Sequence, residues 1–92
     1  PRPAPPDAQI AFGRASELAG DPIRAGESYA EAAYLNGRAE DALNQFSALL
    51  KRPDLNYIQR SRIEARINEI TPEVMELQRR KIRPQDLPPD SG

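Results

Sequence analysis

From Asp7 onward the chain carries apolar residues at spacings of three and four, interrupted at short intervals by glycine, proline or asparagine. This is the period of helices that present one stripe to a core, and it predicts an all-α protein. The strongest pattern runs from Glu27 to Arg52: one helix, a break at Asn36-Gly37, and a second helix returning along the first. Ala30, Ala33 and Tyr34 precede the break, and Ala42, Leu43, Phe46, Leu49 and Leu50 follow it. The small residues let the two backbones approach closely while Tyr29, Tyr34, Phe46 and the leucines fill the remaining space. Such a hairpin buries only one face of each helix, so the flanking sequence must supply neighbours.

The punctuation of the chain predicts where those neighbours lie. Asp7 is placed to cap a first helix running to about Ala19, with Ala8, Ala11, Phe12, Ala15, Leu18 and Ala19 as its apolar set and Gly13 in its middle. Gly20 closes that helix, Asp21 caps the next, and Pro22 takes the first helical position, where its missing N–H costs nothing. The second helix then runs from Pro22 to about Leu35 and the third from about Arg38 to Lys51. Asp54 is expected to cap a fourth helix from Leu55 to about Ile70, and Thr71-Pro72-Glu73 to open a fifth that ends near Ile82. On this reading each interior proline stands at a helix start. The domain plan is a proline-rich extended lead at 1–6, a helical domain at 7–83 and a disordered proline-containing tail at 84–92.

Composition narrows the chemistry. The 92 residues are enough for one small domain, and at 29% charged and 5% aromatic it is a solvated, alanine-rich protein with a thin core. No apolar run approaches the ~20 residues of a membrane span. The chain opens Pro-Arg-Pro-Ala-Pro-Pro without methionine, an opening expected of a fragment or processed product. Histidine and cysteine are absent, which removes imidazole catalysis, cysteine nucleophiles and the usual zinc ligand sets. Carboxylate pairs such as Glu40-Asp41 and Glu73 with Glu76 fall in expected helix first turns, where negative charge is favoured. No catalytic, cofactor-binding or metal-binding residue is assigned, and no catalysis by this chain alone is expected.

Net charge is -1 but unevenly spread: residues 1–50 hold four basic and seven acidic side chains, residues 51–83 nine basic and five acidic. That asymmetry suits docking between ends or against a charged partner and is too mild to favour a nucleic-acid-binding helical bundle. Arg79, Arg80, Lys81 and Arg83 suit a helix C-terminus and a solvated face. Arg62 and Arg66 are less ordinary, because they fall within the face marked by Ile58, Ile63, Ile67 and Ile70. Either they lay their stems along the core and pair with Glu40 or Asp41, or they clamp carboxylates of a partner. With Tyr29 and Tyr34 they are the candidate partner-binding residues, lining a concave groove.

Gly37, Ala42 and Phe46, matched seventeen residues earlier by Gly20, Ala25 and Tyr29, resemble the centre of a tetratricopeptide repeat. Half of that 34-residue period is one helix plus its turn. The resemblance implies about five helices in antiparallel hairpins forming a right-handed solenoid fragment, with Gly13 beneath a neighbouring side chain; a plain antiparallel bundle is the alternative. A longer run, residues 22–70, is similar to the C-terminal end of bacterial zinc metalloproteases with tetratricopeptide tails, relatives of the periplasmic β-barrel assembly-enhancing protease. YAEAAYLNGR and YIQRSRIEAR carry that likeness. It implies a periplasmic, non-catalytic interaction or regulatory module. Its expected partners are its own protease domain, the outer-membrane assembly machinery or client barrel proteins. Zinc is expected only in a separate domain with an H-E-x-x-H motif, none of which is present in these residues. A free-standing scaffold or adaptor with the same repeats is the alternative function.

Overall fold

The computed structural model describes residues 5–81, which form four helices, α1 (Pro6–Leu18), α2 (Pro22–Leu35), α3 (Ala39–Leu49) and α4 (Tyr57–Lys81). The described residues are all-helical in class, as the periodicity predicts, with four helices among them where five were expected. Each helix packs chiefly against the next in sequence. Much of the proline-rich lead, Arg83 and the whole tail at 84–92 lie outside the described residues.

The α1–α2 and α2–α3 connections are two copies of one turn. Gly20 and Gly37 adopt φ of 79° and 80°, a region where a Cβ costs about 1–2 kcal/mol. The Asp21 N–H donates to the Ser16 carbonyl at 2.8 Å and the Gly20 N–H to Glu17 at 3.0 Å. In the second copy the Arg38 N–H reaches Ala33 at 2.9 Å and the Gly37 N–H reaches Tyr34 at 3.0 Å. These bonds satisfy carbonyls that a helix end otherwise leaves unpaired. After the first turn the Asp21 side chain accepts from the Arg24 N–H at 3.1 Å, and Pro22 opens α2.

The core lies between α2, α3 and the apolar face of α4. Ile23, Ala30, Ala33, Ala39, Ala42, Phe46, Ile63, Ile70 and Val74 are buried there, with Tyr34, Leu43, Leu49, Leu50 and Ile67 packed around them. Phe46 is 1% exposed and is the largest side chain of this otherwise alanine-rich centre. The residues expected to face across the α2–α3 hairpin belong to this cluster except Tyr29, whose ring packs on Gly13 of α1 instead.

α1 departs from expectation. Pro5 stands at the N-cap and Pro6 is already helical, so Asp7 lies in the first turn and does not cap. Its buried residue is Gly13, not the alanine set. A Cβ built on Gly13 would meet the Tyr29 ring at 2.6–2.9 Å, so the absent side chain is what lets the tyrosine lie over the helix. Phe12 is 55% exposed and Leu18 91% exposed, and Ala11, Ala15 and Ala19 are exposed as well. Among the described residues α1 packs chiefly on α2, and the Gly13–Tyr29 contact decides which of its sides does so.

The fourth and fifth helices expected from the sequence are one helix, with Pro72 inside it. Asp54 is not its cap. That carboxylate accepts two bonds from Arg52, at 3.0 and 2.9 Å, and the guanidinium holds its carboxyl below the usual carboxylate range. The start of α4 is closed by Asn56 and Gln59: the Gln59 N–H donates to Asn56 Oδ1 at 2.7 Å and the Asn56 N–H to Gln59 Oε1 at 2.9 Å. This reciprocal pair satisfies two free N–H groups at once. An interior proline costs about 3 kcal/mol or more by removing a bond and crowding the preceding turn. Two features offset it. Ile63, Ile67, Ile70 and Val74 continue one apolar stripe across Pro72, and each large aliphatic buried contributes about 1.5–3 kcal/mol. Pro72 and Asn68 are both exposed, so the carbonyl the proline leaves unbonded faces water. The Thr71 hydroxyl does not cap a new helix; it donates back to the Ile67 carbonyl at 2.6 Å.

Candidate functional site

Three side-chain rungs join α2 to α4. Arg62 donates from Nε and Nη2 to both oxygens of Glu27, at 2.7 and 2.6 Å. One turn on, Arg66 grips Glu31 in the same way, at 2.6 and 2.8 Å. Further along, the Tyr34 hydroxyl donates to Glu73 at 2.6 Å. Residue numbers rise together on both helices, at offsets of 35, 35 and 39, so α2 and α4 run parallel. Arginine and carboxylate planes match edge to edge in this geometry, which fixes register as well as charge.

Arg66 is the most connected member. Its guanidinium carbon lies 5.0 Å from the centre of the Tyr34 ring, a cation–π distance, and its Nη1 is 3.5 Å from Glu69. The bidentate bond to Glu31 raises the Arg66 pKa, and Glu27 does the same for Arg62. Tyr34 is pushed above its ordinary value, first by the bond to Glu73 and then by burial. Tyr29 is also raised, by hydrogen bonding with the Glu17 carboxylate and partial burial.

The first two rungs form one wall of a cleft of about 730 Å³. The opposite wall is the exposed face of α1, with Phe12, Ala15 and Ala19, and Phe46 reaches its floor. Of the four candidate residues, Arg62 and Arg66 line this cleft and the tyrosines do not. Tyr29 lies over Gly13 and Tyr34 faces Glu73. The arginines pair with Glu27 and Glu31, not with Glu40 or Asp41, and both pairs are internal to the chain. Sequence reasoning missed the two glutamates and the role of Phe12. The glutamates had a signal: Glu27 and Glu31 are four apart, as are Arg62 and Arg66, at a separation close to the 34-residue period already noted.

Among the described residues no group of three or more carboxylates stands close enough to hold a metal ion, and no helix is long and apolar enough to cross a membrane. Comparisons of the chain with protein-family models, curated proteins and solved structures find no match.

Proposed function

We propose that this chain is a non-catalytic protein-interaction module of tetratricopeptide type, and that it serves a periplasmic zinc metalloprotease in quality control of outer-membrane protein assembly. The observation that carries the interaction reading is the cleft, where an exposed apolar helix face stands opposite a row of fixed charges. Clefts of a few hundred cubic ångströms with an apolar wall and a few ordered polar groups are the usual form of a binding site.

The repeat reading draws on internal recurrence. The two glycine turns share one hydrogen-bond pattern. Gly13 beneath Tyr29 has its counterpart seventeen residues on in Ala30 and Phe46, both buried. The parallel α2–α4 register of 35 is close to one repeat. The protease setting draws on the resemblance at YAEAAYLNGR and YIQRSRIEAR. Zinc belongs to the protease domain in this proposal, and no residue of this chain holds it.

Deleting residues 5–81 from the parent protein tests the proposal. Turnover of a stalled barrel precursor should fall while cleavage of a short unstructured peptide, which reports the zinc site, persists. Unchanged turnover, or a parent sequence without an H-E-x-x-H motif, would overturn it.

A further inference from the structure

The two glycine turns differ in one residue that carries chemistry. Ahead of Gly20 stands Ala19, with φ -81° and ψ -3°; ahead of Gly37 stands Asn36, with φ -85° and ψ 10°. The hydrogen bonds of the two turns match, so alanine holds this position as well as asparagine does. Glycine is required at the next one, because a left-handed φ penalises a Cβ. The result is an Asn-Gly pair on the surface, with both residues exposed and nothing within 4 Å of where a Gly37 Cβ would stand.

An unhindered nitrogen after an asparagine side chain has a reaction open to it. Once the Gly37 N–H gives its proton to water, the nitrogen attacks Cγ of Asn36. The N–Cγ bond forms, the Cγ–Nδ2 bond breaks, and Nδ2 leaves with a proton as ammonia. One water then opens the five-membered imide. Cleavage of the N–Cγ bond gives aspartate; cleavage between that nitrogen and the main-chain carbonyl carbon of Asn36 gives isoaspartate, whose main chain runs through Cβ and Cγ and is one carbon longer. Water enters, ammonia leaves, and nothing is oxidised or reduced.

The folded turn opposes the first step twice. The Gly37 N–H is held by the Tyr34 carbonyl at 3.0 Å and the Arg38 N–H by Ala33 at 2.9 Å, so the Asn36–Gly37 peptide turns only if these bonds break. Ring closure also needs Cβ of Asn36 and the Gly37 nitrogen eclipsed about the Cα–C bond, and a ψ of 10° is far from that. We propose that Asn36-Gly37 is a modification site closed by folding: protected while the α2–α3 turn is intact, and deamidated once it unwinds, to an isoaspartate that the turn rejects. The added carbon lengthens the link between the bonded groups of Tyr34 and Arg38, and the new carboxylate sits at the C-terminus of α2, where negative charge is unfavourable. Chains that stay open are thereby marked covalently. This chemistry is independent of any partner the module serves.

The test incubates the full 92-residue chain at neutral pH beside a synthetic peptide of residues 25–38, which is marginal as a helix by itself. Trypsin, cutting after Arg24 and Arg38, releases the same peptide from the chain, and Asn36 is its only amide side chain. The mass gained from amide to acid therefore reports this residue alone, and chromatography separates isoaspartate from aspartate. The folded chain should react about tenfold more slowly than the peptide or slower still, equivalent to ~1.4 kcal/mol held in the turn. Unfolding the chain in guanidinium chloride should remove the difference. Equal rates in the folded chain and the peptide, or protection that persists in guanidinium chloride, would overturn the gating. The isoaspartate chain, isolated and returned to native buffer, should unfold at a lower temperature than the untreated chain. An unchanged unfolding temperature would overturn the claim that the turn rejects the product.

Discussion

Arg66→Met tests the ladder most directly. Methionine keeps an unbranched stem for packing against Tyr34 and removes the guanidinium. The loss comprises two charge-assisted bonds to Glu31 at 2.6 and 2.8 Å and a cation–π contact at 5.0 Å. Bonds to charged groups are worth about 1.5–3 kcal/mol, and leaving a partner unpaired adds its own penalty. The side chains of Arg66 and Glu31 are 24% and 27% exposed, so water reaches part of the site and reduces both terms. A net loss of about 2–3 kcal/mol follows. A domain of this size has about 5–10 kcal/mol in total, and about 1 kcal/mol shifts Tm by ~4–8 °C. Arg66→Met should therefore lower Tm by about 10–20 °C. Urea and thermal unfolding, followed by far-ultraviolet circular dichroism, should be measured for Arg66→Met, Glu31→Gln and the double variant. The pair should show a coupling of about 1–2 kcal/mol. A coupling indistinguishable from zero, or a larger one between Arg66 and Asp41, would refute the register of α2 against α4.

Phe46→Ala should cost about 3–5 kcal/mol, since the ring is 1% exposed at the centre of the core; an unchanged urea midpoint would contradict its placement. Pro72→Ala should raise stability by about 1–3 kcal/mol, because it restores a helix bond and relieves crowding without changing any buried contact. The same denaturation series reads it, and a loss would mean that the proline is needed where it stands. Tyr34 sets an alkaline limit. Its folded pKa lies above the ordinary value of 10.0, so the stabilisation is fully present below about pH 10 and is lost as pH rises through the folded value. Stability measured across that range should fall in the wild type and less so in Tyr34→Phe, and equal slopes would show that the bond to Glu73 contributes nothing.

Local signals in the sequence were reliable where one residue type has a single conformational reason to be present. Gly20 and Gly37 marked left-handed turns, Asp21-Pro22 marked a capped start, and the Ala30–Leu50 set marked a close-packed hairpin; each is a property of a few neighbouring residues. Pro72 misled because a proline after a threonine is equally good local chemistry for a helix start. What decides the matter is the continuity of Ile63, Ile67, Ile70 and Val74 against the core, a tertiary quantity. The face of α1 was misjudged for a related reason. Its alanines form the better stripe on paper, yet the backbone follows Gly13, where the Tyr29 ring can lie closest.

Arg62 and Arg66 share a face with buried Ile63 and Ile70 but not with Ile58, which is 70% exposed, and their internal partners are Glu27 and Glu31 in place of Glu40 or Asp41. Glu40 and Asp41 belong to α3. Carboxylates in the first turn of α3 stand at the far end of the bundle from the start of α4, beside Val74, Leu77 and Lys81. Only a parallel neighbour keeps a constant offset over successive turns, and α2 is that neighbour, with Glu27 and Glu31 at the matching spacing. The third rung then has a mechanical meaning. Arg62 and Arg66 lie before Pro72 and Glu73 lies after it, so the bond from Tyr34 to Glu73 ties α2 to the part of α4 beyond the proline, which buried Val74 also holds against the core.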